Sequence, residues 1–372
     1  MVLFSRSVLA ACILATAASA QTIVNTIPYS GPFAGGIGHD PVTDEVVVVD
    51  STSDMVSFLD RTTGNVNSSF TSPSTLAVGC HVDVATGNIW IGDESETVYE
   101  CTRSGGVVQS WSCSPTITDL SALTLDPATG NIWISNDSAN IVAEFTSAGV
   151  PTGIQFSPQG STDGDGITYD PYNRVFYMGE DTSNSIIVVD VTGTAINTVS
   201  VASLGISPEG LALDTVTGTL LIGNGFVSPI AVYEVAGIMT APPATAVVHY
   251  GMDCGSARLD VSDATRDDGL TPAGFSVGFQ SGQTPGATAL IIIGVTQQNL
   301  PLRFLGSTCR LYALPDIISV AGPTNANGRL GLSIPIPPGA MGAGVTFWGV
   351  DVDLTSTNIV PSSSDGVQMT VQ

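Results

Sequence analysis

The chain has no lysine. Its nine basic residues are all arginine, they face 33 aspartates and glutamates, and the formal net charge is −24. Without lysine, Schiff-base and lysine-dependent catalysis are excluded. So few cations also exclude nucleic acid as a partner, because phosphate binding needs clustered basic residues, and exclude docking on an anionic membrane surface. The three histidines, His39, His81 and His249, share no metal-ligand spacing, and there is no C-x-x-C pair, P-loop or G-x-G-x-x-G turn after a strand. Beyond the first twenty residues the longest apolar run, Ala289 to Val295, has the length of a strand and not of a membrane span. Charged residues make up only 11% of the chain, but the 43% that are apolar suffice for a core and argue against global disorder.

The first thing present is an export signal. Arg6 supplies a positive start, Val8 to Ala17 an apolar segment, and Ala18-Ser19-Ala20 a small-residue cleavage site, so the mature chain is expected to begin at Gln21. The expected location is secreted, either extracellular or at the cell surface. Export permits disulfides. Cys254 and Cys309 stand alone in the C-terminal third and are the expected pair. Cys80 occupies an apolar position and reads as a buried free thiol, while a Cys101–Cys113 bridge stays open.

From Gln21 to about Thr240 the chain repeats. The segments "GIGHDPVTDEVVVVD", "GCHVDVATGNIWIGD", "ALTLDPATGNIWISN", "GITYDPYNRVFYMGE" and "GLALDTVTGTLLIGN" align on Asp40, Asp83, Asp126, Asp170 and Asp214, spaced 43, 43, 44 and 44 residues apart. Each unit carries two further strand-like runs, and four short alternating strands per unit make a β-propeller blade. The fifth unit lacks a fourth strand, whereas Thr22 to Pro32 is an orphan strand ahead of the first. Pairing the two closes a five-bladed ring without a free edge, with an irregular sixth blade as the alternative. The repeated Asp is read as the cap of a tight turn, with Gly at the positive-φ position.

The wording of these units, "PEGLALD" at Pro208 to Asp214 above all, resembles NHL-type and SMP-30 (gluconolactonase)-like propellers. That resemblance covers about Gln21 to Gly237 and implies the fold more than an activity. After a linker at 241–250, residues 251–372 turn to longer alternating strands, among them "GFSVGFQ", "ATALIIIGV", "RLGLSIPIP" and "VTFWGVDVD". They predict an antiparallel β-sandwich of about seven or eight strands. The order "YG-x-x-C … ALIIIG … P-T-N-A-N-G … IPIP" resembles a C-terminal β domain appended to secreted bacterial proteins of unknown function. The resemblance implies a role in surface attachment, sorting or assembly, independent of the preceding domain. Gly274-Phe275-Ser276-Val277-Gly278 matches the G-x-S-x-G nucleophile elbow, but Phe275, Val277 and Phe279 alternate as in one strand and no His follows, so Ser276 is read as an outward strand serine.

Aligning the blades on the turn Asp yields a candidate site. Five residues before it stand Gly35, Val78, Ser121, Asp165 and Glu209, and ten after it Asp50, Asp93, Asn136, Glu180 and Asn224. The hairpin sets Asp165 opposite Glu180 and Glu209 opposite Asn224, all on one face. Opposed carboxylates repel unless a cation, a proton or water relieves them. Asp165, Glu180, Glu209 and Asn224, with Asp163 near, are therefore candidate Ca²⁺ ligands, and a solvated acidic rim is the plainer alternative. The "D-G-I" and "E-G-L" contexts of Asp165 and Glu209 match the ligand contexts of SMP-30-like enzymes, while Gly35, Val78 and Ser121 do not. Three functions follow. The first is an exported, non-catalytic propeller binding a small ligand, glycan or protein on its acidic face. The second is a metal-dependent lactonase or esterase with Glu180 or Asp163 as base. The third is a structural envelope protein.

Overall fold

The computed structural model describes residues 21–162, 164–239, 245–250, 257–262, 274–281, 285–294, 297–301, 310–313, 318–335, 344–352 and 362–371. The expected signal peptide, Asp163, Cys254 and Cys309 fall outside them. The described chain is nearly all β. One short 3₁₀ turn, Ala202–Leu204, is the exception.

Five antiparallel sheets of four strands follow the repeat, with innermost strands Gly36–Asp40, Ala77–Val82, Leu120–Asp126, Gly166–Asp170 and Leu211–Asp214. We number these blades 1 to 5. Each innermost strand packs on the next, and that of blade 5 packs on that of blade 1, so the described sheets close a β-propeller ring. Thr22–Pro28 is the outer strand of blade 5, pairing antiparallel with Ala231–Ala236, as the missing fourth strand predicted. Second and third strands such as Glu45–Asp50 (EVVVVD) and Ser185–Asp190 (SIIVVD) are apolar almost throughout because neighbouring blades cover both their faces.

The innermost strands meet backbone to backbone. Four residues before each turn Asp stand Gly36, Gly79, Ala122, Gly166 and Gly210. A Cβ on Gly210 would overlap the Gly35 carbonyl oxygen, and one on Gly166 would overlap the Glu209 carbonyl oxygen. At Gly210, Gly166 and Gly36 even a methyl group has no room.

All five turn aspartates cap their hairpins. Asp40, Asp83, Asp126, Asp170 and Asp214 each accept from the backbone N–H two residues on, at 2.9–3.1 Å. The positive-φ position four residues after the Asp is Gly in three blades (Gly87, Gly130, Gly218) and Asp44 or Arg174 in the other two. A non-glycine residue in that region costs roughly 1–2 kcal/mol, which the rest of the hairpin must offset.

The C-terminal region has ten described strands, more than the seven or eight expected, in sheets of five, three and two. Thr245–Tyr250, expected as linker, is an edge strand paired with Ser362–Val371. Leu259, Phe275, Val277 and Phe279 of the three-stranded sheet pack on Ala289, Ile291, Ile293 and Val367 of the five-stranded one, which is the core of a sandwich.

The two domains are joined by specific contacts. The sandwich docks on the turn-aspartate side of blades 1 and 2. Arg329, fully buried, reaches across to Asp40, also fully buried, at 2.6 and 3.1 Å, and donates to the Val84 carbonyl at 3.1 Å. Asn327 donates to the Thr86 carbonyl and the Asn88 side chain and accepts from the Arg103 N–H, while Asn325 donates to the Thr86 carbonyl. Gly278 and Gly331 lie opposite one another in the sheet, and a Cβ on Gly331 would overlap the backbone of Ala85. This contact corrects the reading of Ser276. It sits in one uninterrupted strand, as expected, but it is buried and not outward, on the sheet face that it shares with Gly278, and Gly278 packs against Val42 and Val84.

Two of the turn aspartates thus do more than cap. Burial alone would raise the Asp40 carboxyl, but the Arg329 and Arg103 guanidinia more than offset it and hold it at about 2. Asp214, equally buried, is held at about 2 by His39 and by Arg61, which also bridges blade 1 to Glu234 of blade 5. Both folded values lie below the ordinary carboxylate range, so their contribution is complete above about pH 4 and is lost as pH falls towards 2, about 2 kcal/mol for Asp40. Asp126 and Asp170 are shifted upward by burial and act in the opposite sense. Acid titration followed by tryptophan fluorescence should show a native signal held to about pH 4 and a transition below it. A transition centred above pH 5 would contradict these pairings.

Candidate functional site

With the sandwich on one side, the opposite face of the ring stays open. The innermost strands begin there, and the loops that precede them surround a cavity of about 230 Å³. Its lining includes Glu94, Asp119, Asp137, Asp165 and Glu209, together with Ser121. Phe33 and Phe226 form one wall, stacked at 4.2 Å between ring centroids and 18° between planes. Phe33 is buried beneath, and Phe226 is 66% exposed at the rim.

Among the described residues no basic side chain lines this cavity. The reason lies in the blade topology. Arg61, Arg103 and Arg174, the arginines of the described propeller, occupy turns at the opposite ends of the strands, on the side of the turn aspartates. The described residues of the open-face loops include no Arg, Lys or His. Five carboxylates gathered on one concave, low-dielectric surface focus a negative potential into the cavity.

The four residues expected from sequence separate into two pairs. Asp165 and Glu209 both line the cavity. The register Gly166↔Gly179 does carry Asp165 to the level of Glu180, and the Asp165 carboxylate accepts from the Asp181 N–H at 3.0 Å. Glu180 and Asn224 are buried in the loops behind. Glu180 accepts from the Ser161 hydroxyl and, at 3.0 Å, from the Thr162 N–H. Asn224 accepts from the Ser207 N–H at 2.8 Å and donates to the carbonyls of Val227 and Pro229. The same position is a loop cap in blades 1 to 3, where Asp50, Asp93 and Asn136 accept from nearby backbone N–H groups. Among the described residues no group of three or more His, Cys, Asp or Glu side chains converges in a metal-binding arrangement.

Sequence reasoning missed the aromatic wall and three of the acids. Phe226 lies in the long second-to-third-strand loop of blade 5, whose bridge between Gly225 and Ala34 brings Phe33 beside it. Glu94, Asp119 and Asp137 fall one or two residues away from the aligned positions, where a strict column comparison does not look.

The remaining reactive groups are engaged elsewhere. His81, beside Thr124 at 3.4 Å, is pushed down to about 4 by burial and is a neutral imidazole. His39 sits against Arg61 at 3.3 Å. Cys80, Cys101 and Cys113 are buried free thiols, as expected for Cys80, and the open Cys101–Cys113 pairing is not made. Burial pushes Cys101 up to about 11 and Cys113 up to about 12, so neither supplies a thiolate at neutral pH.

No protein-family model matches the sequence, and no curated protein does. Among solved structures, the chain is similar to the glutaminyl cyclase of Myxococcus xanthus, at 13% identity and a TM-score of 0.48, over 58% of this chain and 95% of that one. It is also similar to a chain of a nidogen/laminin complex, at 17% identity and a TM-score of 0.36, over 44% of this chain and 62% of that one. At these identities the likeness concerns the fold alone.

Proposed function

We propose that this is an exported, non-catalytic β-propeller binding protein whose open acidic face takes a ligand bearing an organic cation, while the C-terminal sandwich serves attachment or sorting. The observation that supports it is the cavity itself, which combines five carboxylates, no basic residue among the described lining and a stacked aromatic wall with one exposed ring. Carboxylates attract an ammonium or guanidinium group, and the face of Phe226 adds a cation–π contact worth about 0.5–1 kcal/mol at an exposed site. A basic side chain of a protein partner or a free amine carries the same chemistry. Export rests on Arg6, the apolar segment after it and Ala18-Ser19-Ala20.

The second reading, a Ca²⁺-dependent lactonase or esterase, is favoured only by Asp165 and Glu209 sharing the cavity. Calorimetric titrations of spermidine, glucose and CaCl₂ into the protein separate the readings. Saturable spermidine binding, weakened about threefold in Phe226→Ala as one cation–π contact requires, is the expected result. Glucose binding alone would sink the cationic reading. Calcium binding lost in Asp165→Asn, with ester turnover, would establish the second.

A further inference from the structure

The outer strands of the five blades are Val66–Thr71, Val107–Ser112, Pro151–Phe156, Ala195–Ser200 and, in blade 5, Thr22–Pro28. Each is an edge with no further strand beside it among the described residues. None contains a charged residue. Instead they carry Ser, Thr, Asn and Gln with outward β-branched apolar side chains, and Val108, Ile154 and Ile196 are each more than half exposed. Soluble proteins ordinarily protect such edges with charge, proline or bulges. Here a bulge interrupts pairing near the start of the outer strand in all five blades, and Pro151 and Pro28 stand at the ends of two of these strands, but the remainder stays regular in blade 2, from Glu100↔Gln109 through Thr97↔Ser112.

We infer that this uncharged rim is a self-assembly surface, on which outer strands of two copies of this chain pair edge to edge under the control of ionic strength. The charge distribution selects the occupant. A basic partner is drawn to the acidic open face, whereas two copies that each carry −24 repel over their acidic surfaces and set no like charges against one another where outer strands meet. A strand edge paired antiparallel with its own copy forms an isologous, self-complementary contact. Long-range repulsion keeps the copies apart at low salt and weakens as the screening length falls from about 30 Å at 0.01 M to about 3 Å at 1 M.

Light scattering on the full mature chain across that salt range tests this. The wild type is expected to be a monomer at low salt and to form dimers and larger species reversibly as salt rises. The triple variant Val108→Lys, Ile154→Lys, Ile196→Lys is expected to stay monomeric. Its three lysines lower the net negative charge, so charge alone would promote association, and only a blocked edge explains its loss. Lysines at exposed turn residues Thr62, Ser104 and Ala148 should leave association intact. In the wild type, amide exchange in Val107–Ser112 should slow at high salt. A wild type monomeric at every salt concentration overturns the inference, as does a triple variant that associates like the wild type, or association without slower exchange in any outer strand.

Discussion

Replacing Arg329 with Met should separate the two domains. The substitution removes the side chain that lies fully buried against Asp40 and leaves that carboxylate in the contact with Arg103 alone, at 2.9 Å. Breaking a buried ion pair from one side costs about 3–5 kcal/mol, because the surviving charge stays desolvated. The lower end is expected here, since Arg103 remains. The wild type should unfold in one thermal transition, and Arg329→Met in two, with faster proteolysis within residues 257–371. Removing both charges in Asp40→Asn/Arg329→Met should restore part of the loss, because no buried charge is then left over. A single, unshifted transition in Arg329→Met would mean that the domains do not rely on this pair.

Gly210→Ala should be the most damaging single-methyl change in the propeller. The new Cβ would overlap the Gly35 carbonyl oxygen and come within 2.6 Å of the Ile37 nitrogen, and both are backbone atoms of the neighbouring innermost strand. Backbone cannot rotate aside, so the ring must open or shift, with a loss of about 3 kcal/mol or more, the upper range for overpacking. Gly130→Ala is the informative comparison. Gly130, unlike Gly210, has positive φ, at 72°, but its missing Cβ faces open space, so only the backbone cost of about 1–2 kcal/mol applies. Urea unfolding should place Gly210→Ala far below Gly130→Ala. Equal midpoints would show that the innermost strands are not in backbone contact.

Most of the propeller could be read from the sequence, because its signals are local. The turn Asp, the glycine four residues later and the apolar second strand recur at fixed offsets, and the orphan Thr22–Pro28 follows from counting strands. Docking could not be read in this way. Asp40 and Arg329 are 289 residues apart, and nothing local distinguishes Asp40 from Asp126, which has the same turn and the opposite shift. The "P-T-N-A-N-G" segment stood out in the sequence, but its use, as the loop that grips the turn at Thr86 and Asn88, depends on the other domain. The site was half legible for a related reason. Strand pairing fixes which backbone positions face one another, so Asp165 and Glu180 share a level. Side-chain direction beyond the strand end is decided by the loops, and these take Glu180 and Asn224 as caps.

The central claim is that the open face binds cations through its carboxylates. It is tested most directly by calorimetric titration of argininamide into the wild type and into Asp165→Asn/Glu209→Gln, each at low and at physiological salt. Both substitutions keep the shape of the side chains they replace, and Asp165→Asn keeps an oxygen to accept from the Asp181 N–H, so both proteins should melt alike without ligand. The wild type should bind one equivalent at the cavity, more weakly as salt rises, and the variant at least tenfold more weakly, which corresponds to about 1.4 kcal/mol. Binding that is absent in the wild type, or equal in the variant, would contradict the account.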